Sequence, residues 1–176
     1  ELREKEERYR SLFDHSTDAI LLTKPDGSVL DANSAACKMF GRTLEEIKRV
    51  GRAGLVDAAD PGLRAALNKR ERTGGGMAEI IMLRANGEKF PAEVTSAIFV
   101  DAGGQRKTSM IIRDITDRKR AEEALRESEE RFRGMMEQSP LSIQVISPQG
   151  DVIDVNKAFE KLWGVKREDL RVYNIL

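Results

Sequence analysis

The sequence predicts an α+β unit built on one antiparallel sheet covered on one side, and three observations carry that expectation. Two strand-like runs are followed by several short helical segments and then by three longer strand candidates in meander order. Along the second of those candidates Phe90, Ala92, Val94, Ile98 and Val100 alternate with Pro91, Glu93, Thr95 and Asp101, so one face is buried and one wet. The chain also repeats itself without gaps at an offset of 123 residues, which pairs Gly27 with Gly150, Asn33 with Asn156 and Gly41 with Gly164. A period that long is a tandem of whole domains rather than a solenoid unit.

Residues 1–12 read as a flanking helix, with Leu2, Tyr9 and Leu12 on one stripe. AILLTK is a short apolar run ended by Pro25, Asp26 and Gly27, and SVLDA resumes the strand pattern, so a hairpin is expected. Asp31 or Asn33 can cap a helix that buries Ala36, Met39 and Phe40 and stops at Gly41. Thr43, Leu44, Glu45 and Glu46 have the S/T-x-x-E arrangement of a capping box, which starts a second short helix. Asp60 and Pro61 are a cap and first-turn pair for GLRAALNKRER, whose inward face is expected at Leu63, Ala66 and Leu67. Gly74, Gly75 and Gly76 then read as a flexible connection to MAEIIMLR, KFPAEVTSAIFV and KTSMIIRDI. Asn86 and Gly87 form a two-residue hairpin signal between the first two of these.

The stretch 114–139, DITDRKRAEEALRESEERFRGMMEQS, has no Pro and a single late Gly, and is rich in strong helix formers. Thr116 is placed to cap it and Asp117 to complement its dipole. Ala121, Leu125, Phe132 and Met135 recur at steps of 3 and 4 as a coiled-coil seam, with Arg118 and Ser128 as polar members of the stripe. Leu2, Tyr9 and Leu12 correspond to Leu125, Phe132 and Met135 under the internal repeat, so the same seam precedes each copy. The expected organisation is a flanking helix at 1–12, a first domain at 13–116, a helical connector at 117–138 and the N-terminal half of a second domain at 139–176. That half copy lacks the three-strand meander, and the chain reads as a piece of a longer protein.

Lys and Arg number 30 and Asp and Glu 30, so the formal charge is zero and nothing favours a nucleic acid or an anionic membrane. One Cys makes no internal disulfide, as expected of a reducing cytoplasm. No apolar run approaches the roughly 18 residues of a membrane span.

Asp31, Asn33, Phe40 and Gly41, then Leu44, Glu45, Glu46 and Ile47, then RANGEKFPAEV at 84–94 and DITDRK at 114–119, together resemble the PAS domain family with its C-terminal PAC segment. The resemblance covers about 9–120 and, for the partial copy, 132–176. It implies a five-stranded antiparallel sheet with short helices on one face and a small cavity between them. It also implies a sensor of a ligand or other stimulus that signals through a flanking helix to an output domain, most often a histidine kinase of a two-component system. The alternative within the same fold is a ligand-free dimerisation and relay module. On this resemblance Asp114, Ile115 and Thr116 are the expected relay, and a homodimer through the flanking helices is the expected assembly.

Family members that bind flavin covalently need a Cys in a middle helix within an Asn-Cys-Arg setting, whereas Cys37 lies earlier, in ANSAACKMF, and reads as a structural thiol. A haem-binding member would place a ligand in DPGLRAALNKRER, which has none; His15, the only His, reads as a terminal polar residue of the first helix. Haem and covalent flavin are therefore disfavoured, no cofactor is assigned, and one His with one Cys assembles no metal site. TGGG lacks the Lys and Ser/Thr of a phosphate-binding loop. No nucleophile, base and orienting group fall together, so no catalytic residue is expected. The expected ligand-pocket residues are Ile20, Leu22, Met39, Phe40, Leu67, Met82, Ile98 and Met110, which either fill the space between sheet and helices as core, the favoured reading, or line a cavity; the adaptable Met residues in or near the set point to an uncharged small ligand there, and no Arg, Lys or His is evidently placed inward.

Overall fold

The computed structural model describes residues 2–172 and divides the chain into two compact units, Glu1–Arg118 and Lys119–Leu176. In the first, helix α1 (Leu2–Asp14) precedes β1 (Ala19–Thr23) and β2 (Val29–Ala32); α2 (Ser34–Phe40), α3 (Leu44–Val50) and α4 (Pro61–Thr73) follow, then β3 (Gly75–Leu83), β4 (Lys89–Val100) and β5 (Arg106–Asp114). The strands form one antiparallel sheet in the order β2-β1-β5-β4-β3, so the two ends of the unit's sequence meet where β1 pairs with β5. This is the α+β architecture, one five-stranded antiparallel sheet with short helices, that the sequence leads one to expect.

Local signals start and stop the helices. Asn33 caps α2, its side chain accepting from Ala36 N, and Gly41 closes it in the left-handed conformation at φ 62°. Thr43 and Glu46 form the complete capping box of α3. Asp60 caps α4 through Gly62 N at 2.6 Å and Leu63 N at 3.1 Å, while its second oxygen accepts from Ile81 N at 2.6 Å. One carboxylate thus fixes where α4 starts and how it sits against β3.

Phe40, Ile47, Leu55, Met82, Phe90 and Ile112 are buried between sheet and helices, with the Phe40 and Phe90 rings 6.1 Å apart. On β1 the inward side chains are Ala19, Leu21 and Thr23, so Ile20 and Leu22 take the opposite face, contrary to the expected phase. In the run AILL every residue is apolar and no alternation marks the face. Phe90, Ala92 and Val94 are buried on β4 as expected, but Ile98 is only half-buried and Val100 is exposed, because the strand runs past the helices that cover its first half. Two of the three glycines expected as a flexible connection are instead the first residues of β3, Gly75 opposite Ala97 and Gly76 opposite Ser96. A Cβ on Gly75 would stand 2.7 Å from Ser96 O, which is why glycine serves there.

The turn at Asn86 and Gly87 also differs from the two-residue form. Gly87 N bonds Arg84 O at 3.0 Å and Arg84 N bonds Glu88 O, with Gly87 at φ 83°. The β1–β2 and β4–β5 connections repeat this pattern at Gly27 and Gly104, and the turn at 147–151 does so at Gly150.

In the second unit, helix α5 (Thr116–Gln138) begins at the end of the first unit and leads to β6 (Gln144–Ile146), β7 (Val152–Val155) and α6 (Lys157–Trp163), with a short 3-10 turn at Arg167–Val172. Strands β6 and β7 pair antiparallel. The buried Asn156 donates to Met136 O and Leu141 O, both at 2.8 Å, and accepts from Ile143 N and Phe159 N. Leu162 and Trp163 are exposed, and Phe159 and Ile143 only half-buried.

Candidate functional site

Two places carry chemistry, a cavity under α4 and the junction of β5 with α5. The cavity is small, about 30 Å³, and is bounded by Leu63, Ala66, Leu67 and Arg70 of α4, by Arg52 and Val56 of the segment after α3, and by Ile80, Val94, Ser96 and Met110 of the sheet. Of the eight residues expected from sequence, Leu67 and Met110 line it. Phe40 and Met82 are fully buried core beside it, Met39 packs on that core half-buried, and Ile20, Leu22 and Ile98 lie elsewhere on the sheet.

The expectation that no cationic side chain faces the cavity is corrected by Arg52 and Arg70. Leu63, Ala66 and Leu67 are half-buried, and the one buried residue of α4 is Arg70, 7% exposed. A guanidinium at an inward helical position leaves no mark in a residue pattern, because Arg is ordinarily assigned to the wet face. Arg70 Nε and Arg52 Nη1 are buried and have no hydrogen-bond partner. Burial pushes both guanidinium pKa values down; for Arg70 the neighbouring Arg52 charge adds to this and Glu71 partly offsets it, as Asp26 does for Arg52. The Arg52 guanidinium lies on the β1–β2 turn, where a Cβ on Gly27 would be 3.1 Å from Nη2.

At the junction, Asp114 ends β5 and faces Arg84. Arg84 Nη2 donates to Asp114 Oδ2 at 2.5 Å, Nη1 donates to Met39 O at 2.6 Å, and the guanidinium stacks 4.0 Å from the Phe90 ring centroid. The other Asp114 oxygen accepts from Thr116 N at 2.8 Å and Thr116 Oγ1 at 2.6 Å, so Asp114, not Thr116, supplies the oxygen that holds the start of α5. Burial opposes ionisation of Asp114, but the bonds from Thr116 and Arg84 outweigh it and hold the carboxyl below the usual range. Ile115 is buried, with its N–H on Pro91 O at 3.1 Å. Arg118 reaches back to Glu79 at 2.6 Å. The core is therefore tied to the first turn of α5 by the Met39 carbonyl of α2 and by the side chains of Glu79 on β3, Arg84 after it, Phe90 on β4 and Asp114 on β5.

A second tie, at the start of β1 beside the end of β5, goes beyond the capping role expected of Asn33. Asn33 is fully buried; its Nδ2 donates to Phe13 O at 2.9 Å and Asp18 O at 3.0 Å, and its Oδ1 accepts from Ile20 N and Ala36 N, both at 2.9 Å. The signal was present in the repeat, which aligns Asn33 with Asn156.

Along α5 Ala121 is exposed, and Leu125, Phe132 and Met135 are 62%, 52% and 63% exposed; Tyr9 and Leu12 of α1 are exposed as well. The side chain of Leu2 lies outside the described residues. Cys37 is half-buried, its thiol pushed up by burial and by Asp14 and Asp31. His15 sits exposed after α1, its Nδ1 2.8 Å from Ser11 O. Among the described residues no helix is long and apolar enough to cross a membrane, and no group of three or more His, Cys, Asp or Glu is placed to hold a metal.

Comparison with known proteins agrees with this geometry. A family profile described as PAS domain matches residues 17–117, and a second PAS domain profile matches 130–176. Sporulation kinase E of Bacillus subtilis is 31% identical over the whole of this chain, and the methyl sulfide methyltransferase-associated sensor of Methanosarcina acetivorans is 32% identical over 71% of it. The chain spans 23% of the first relative's length and 13% of the second's. A PAS domain from a two-component sensor histidine kinase, 13% identical, superposes with a TM-score of 0.57 over 65% of this chain and 99% of its own, a likeness of fold.

Proposed function

The chain belongs to the PAS domain family, and from that premise we propose that it is the sensory input segment of a histidine kinase, with a small-molecule-sensing core whose state passes through α5 to a downstream output domain. The observation that carries this reading is Asp114, whose two carboxylate oxygens join the cavity-bearing core, through Arg84, to the first turn of α5, through Thr116. A change in how β5 packs over the cavity at Met110 alters the anchor from which the helix leaves, and two arrangements of that anchor would give two output states. The exposed stripes on α1 and α5 support a homodimer that meets through its flanking helices. The segment itself contributes no catalytic group in this reading.

The test is made in the full-length protein. Insertions in α5 that shift the heptad phase are expected to lock or abolish autophosphorylation, while insertion of one whole heptad preserves regulation. Indifference of output to helical phase would overturn the relay. The small volume under α4 favours a second reading, a ligand-free dimerisation and relay module. Native mass spectrometry of the purified chain decides between them, since a carried ligand adds mass.

A further inference from the structure

We propose that the cavity under α4 is an anion site, taking the carboxylate group of a compact organic acid between Arg52 and Arg70. The inference rests on the reading of the first unit as a ligand-sensing core and names the chemistry of its ligand. Arg70 is 93% buried by its 7% exposure, and its Nε has no hydrogen-bond partner; Arg52 brings a second guanidinium to the same wall with a buried, unpartnered Nη1. A buried guanidinium nitrogen without an acceptor is costly, and the second guanidinium beside it adds repulsion that Glu71 and Asp26, both outside the cavity wall, only partly offset. None of the residues lining the cavity is acidic, so the wall contains no carboxylate to neutralise the pair. A carboxylate entering the cavity supplies both missing acceptors, in the planar geometry that guanidinium groups match best.

The remaining walls set the rest of the ligand. Val56, Leu63, Ile80 and Met110 are apolar and suit a short aliphatic tail. At about 30 Å³ the space holds about two water-sized groups, which restricts the acid to a few carbons unless α4 moves outward. Because Met110 lies on β5, four residues before Asp114, the tail touches the strand that leads to the relay.

The test is titration of the full chain with formate, acetate and propionate, against acetamide and propionamide as uncharged isosteres and chloride as a simple anion. Binding is read from methyl and amide resonances of Ile80, Leu63 and Met110 and from the thermal midpoint. The expected result is a saturable response to at least one carboxylate, none to the amides, and a higher midpoint on binding. Arg70→Met and Arg52→Gln are each expected to weaken that carboxylate by about tenfold or more. Arg70→Met keeps the side-chain bulk and removes the buried charge, so it should stay folded, and its amide spectrum checks this. Equal response to propionamide, equal response to chloride, full binding retained in Arg70→Met, or no carboxylate response at all would each overturn the proposal. The relay is judged separately by kinase output from the α5 insertions, so a silent cavity with phase-dependent output rejects the anion site alone, and binding without phase dependence rejects the relay alone.

Discussion

Asn33 and Phe13 are joined by a 2.9 Å hydrogen bond from the buried side-chain amide to the last-turn carbonyl of α1, and the same amide holds the start of β1 and the head of α2. Three elements therefore share one side chain. Asn33→Ala leaves several buried backbone groups unpaired, and is expected to cost about 3 kcal/mol in urea unfolding. Asn156→Ala should act in the second unit alone, raising hydrogen exchange in β6 and β7 while β1 and β5 keep their protection.

Replacing Arg84 should separate the ion pair from the stacking. Arg84→Lys retains a positive charge but loses the fork that reaches Met39 O and Asp114 at once, and is expected to destabilise by about 2 kcal/mol. In the full-length protein it should also uncouple the kinase from its stimulus more strongly than its loss of stability predicts, measured as basal against stimulated autophosphorylation.

Acid should loosen the junction. The folded Asp114 carboxyl titrates below its unfolded value, so its contribution is complete above the unfolded pKa of about 3.9 and disappears as pH falls through the lower folded value. Unfolding free energy followed from neutral pH downward should fall in that window. Asp114→Asn should show a shallower fall over the same range, and an identical slope would count against the assignment.

Glycines distinguish helix from turn. Gly134 lies inside α5 with nothing within 4 Å of an added Cβ, so Gly134→Ala is expected to stabilise by about 0.5–1 kcal/mol and raise helicity by circular dichroism. Gly104, at φ 77°, has the same open surroundings but a left-handed backbone, and Gly104→Ala should destabilise by about 1 kcal/mol.

Self-association should depend on the apolar stripe. Phe132→Lys, at a position 52% exposed in the single chain, is expected to weaken dimerisation by about tenfold or more in sedimentation. A wild-type chain that stays monomeric at every concentration would remove the homodimer from the proposed function.

The features legible in the sequence were those written in a few adjacent residues or in a long repeat. Thr43 with Glu46 and Asp60 with Pro61 announce their helices because capping is local chemistry, and Asn33 with Asn156 stands out because the chain says it twice. The five strands follow from alternation and turn residues and the antiparallel sheet from the family resemblance, whereas the order β2-β1-β5-β4-β3 depends on the long-range pairing of β1 with β5, which no local pattern marks. The cavity wall was not legible, for two physical reasons. AILL carries no polar residue to set its phase, so nothing in the run itself distinguishes the buried Leu21 from Ile20 and Leu22. Arg52 and Arg70 reach the cavity only through tertiary placement, and composition assigns such side chains to solvent. The Asp60 bond to Ile81 N and the Arg84 bond to Met39 O, between residues distant in sequence, were invisible for the same reason.

The guanidinium of Arg52 rests where the β1–β2 turn has only hydrogen on Gly27. A methyl group there meets the arginine as well as an unfavourable backbone, so position 27 and position 52 are coupled heritably, and change at one constrains change at the other. Related chains can be sorted by this pair: those with a side chain at the turn must have rotated or lost the arginine, and their preferred stimulus should diverge accordingly.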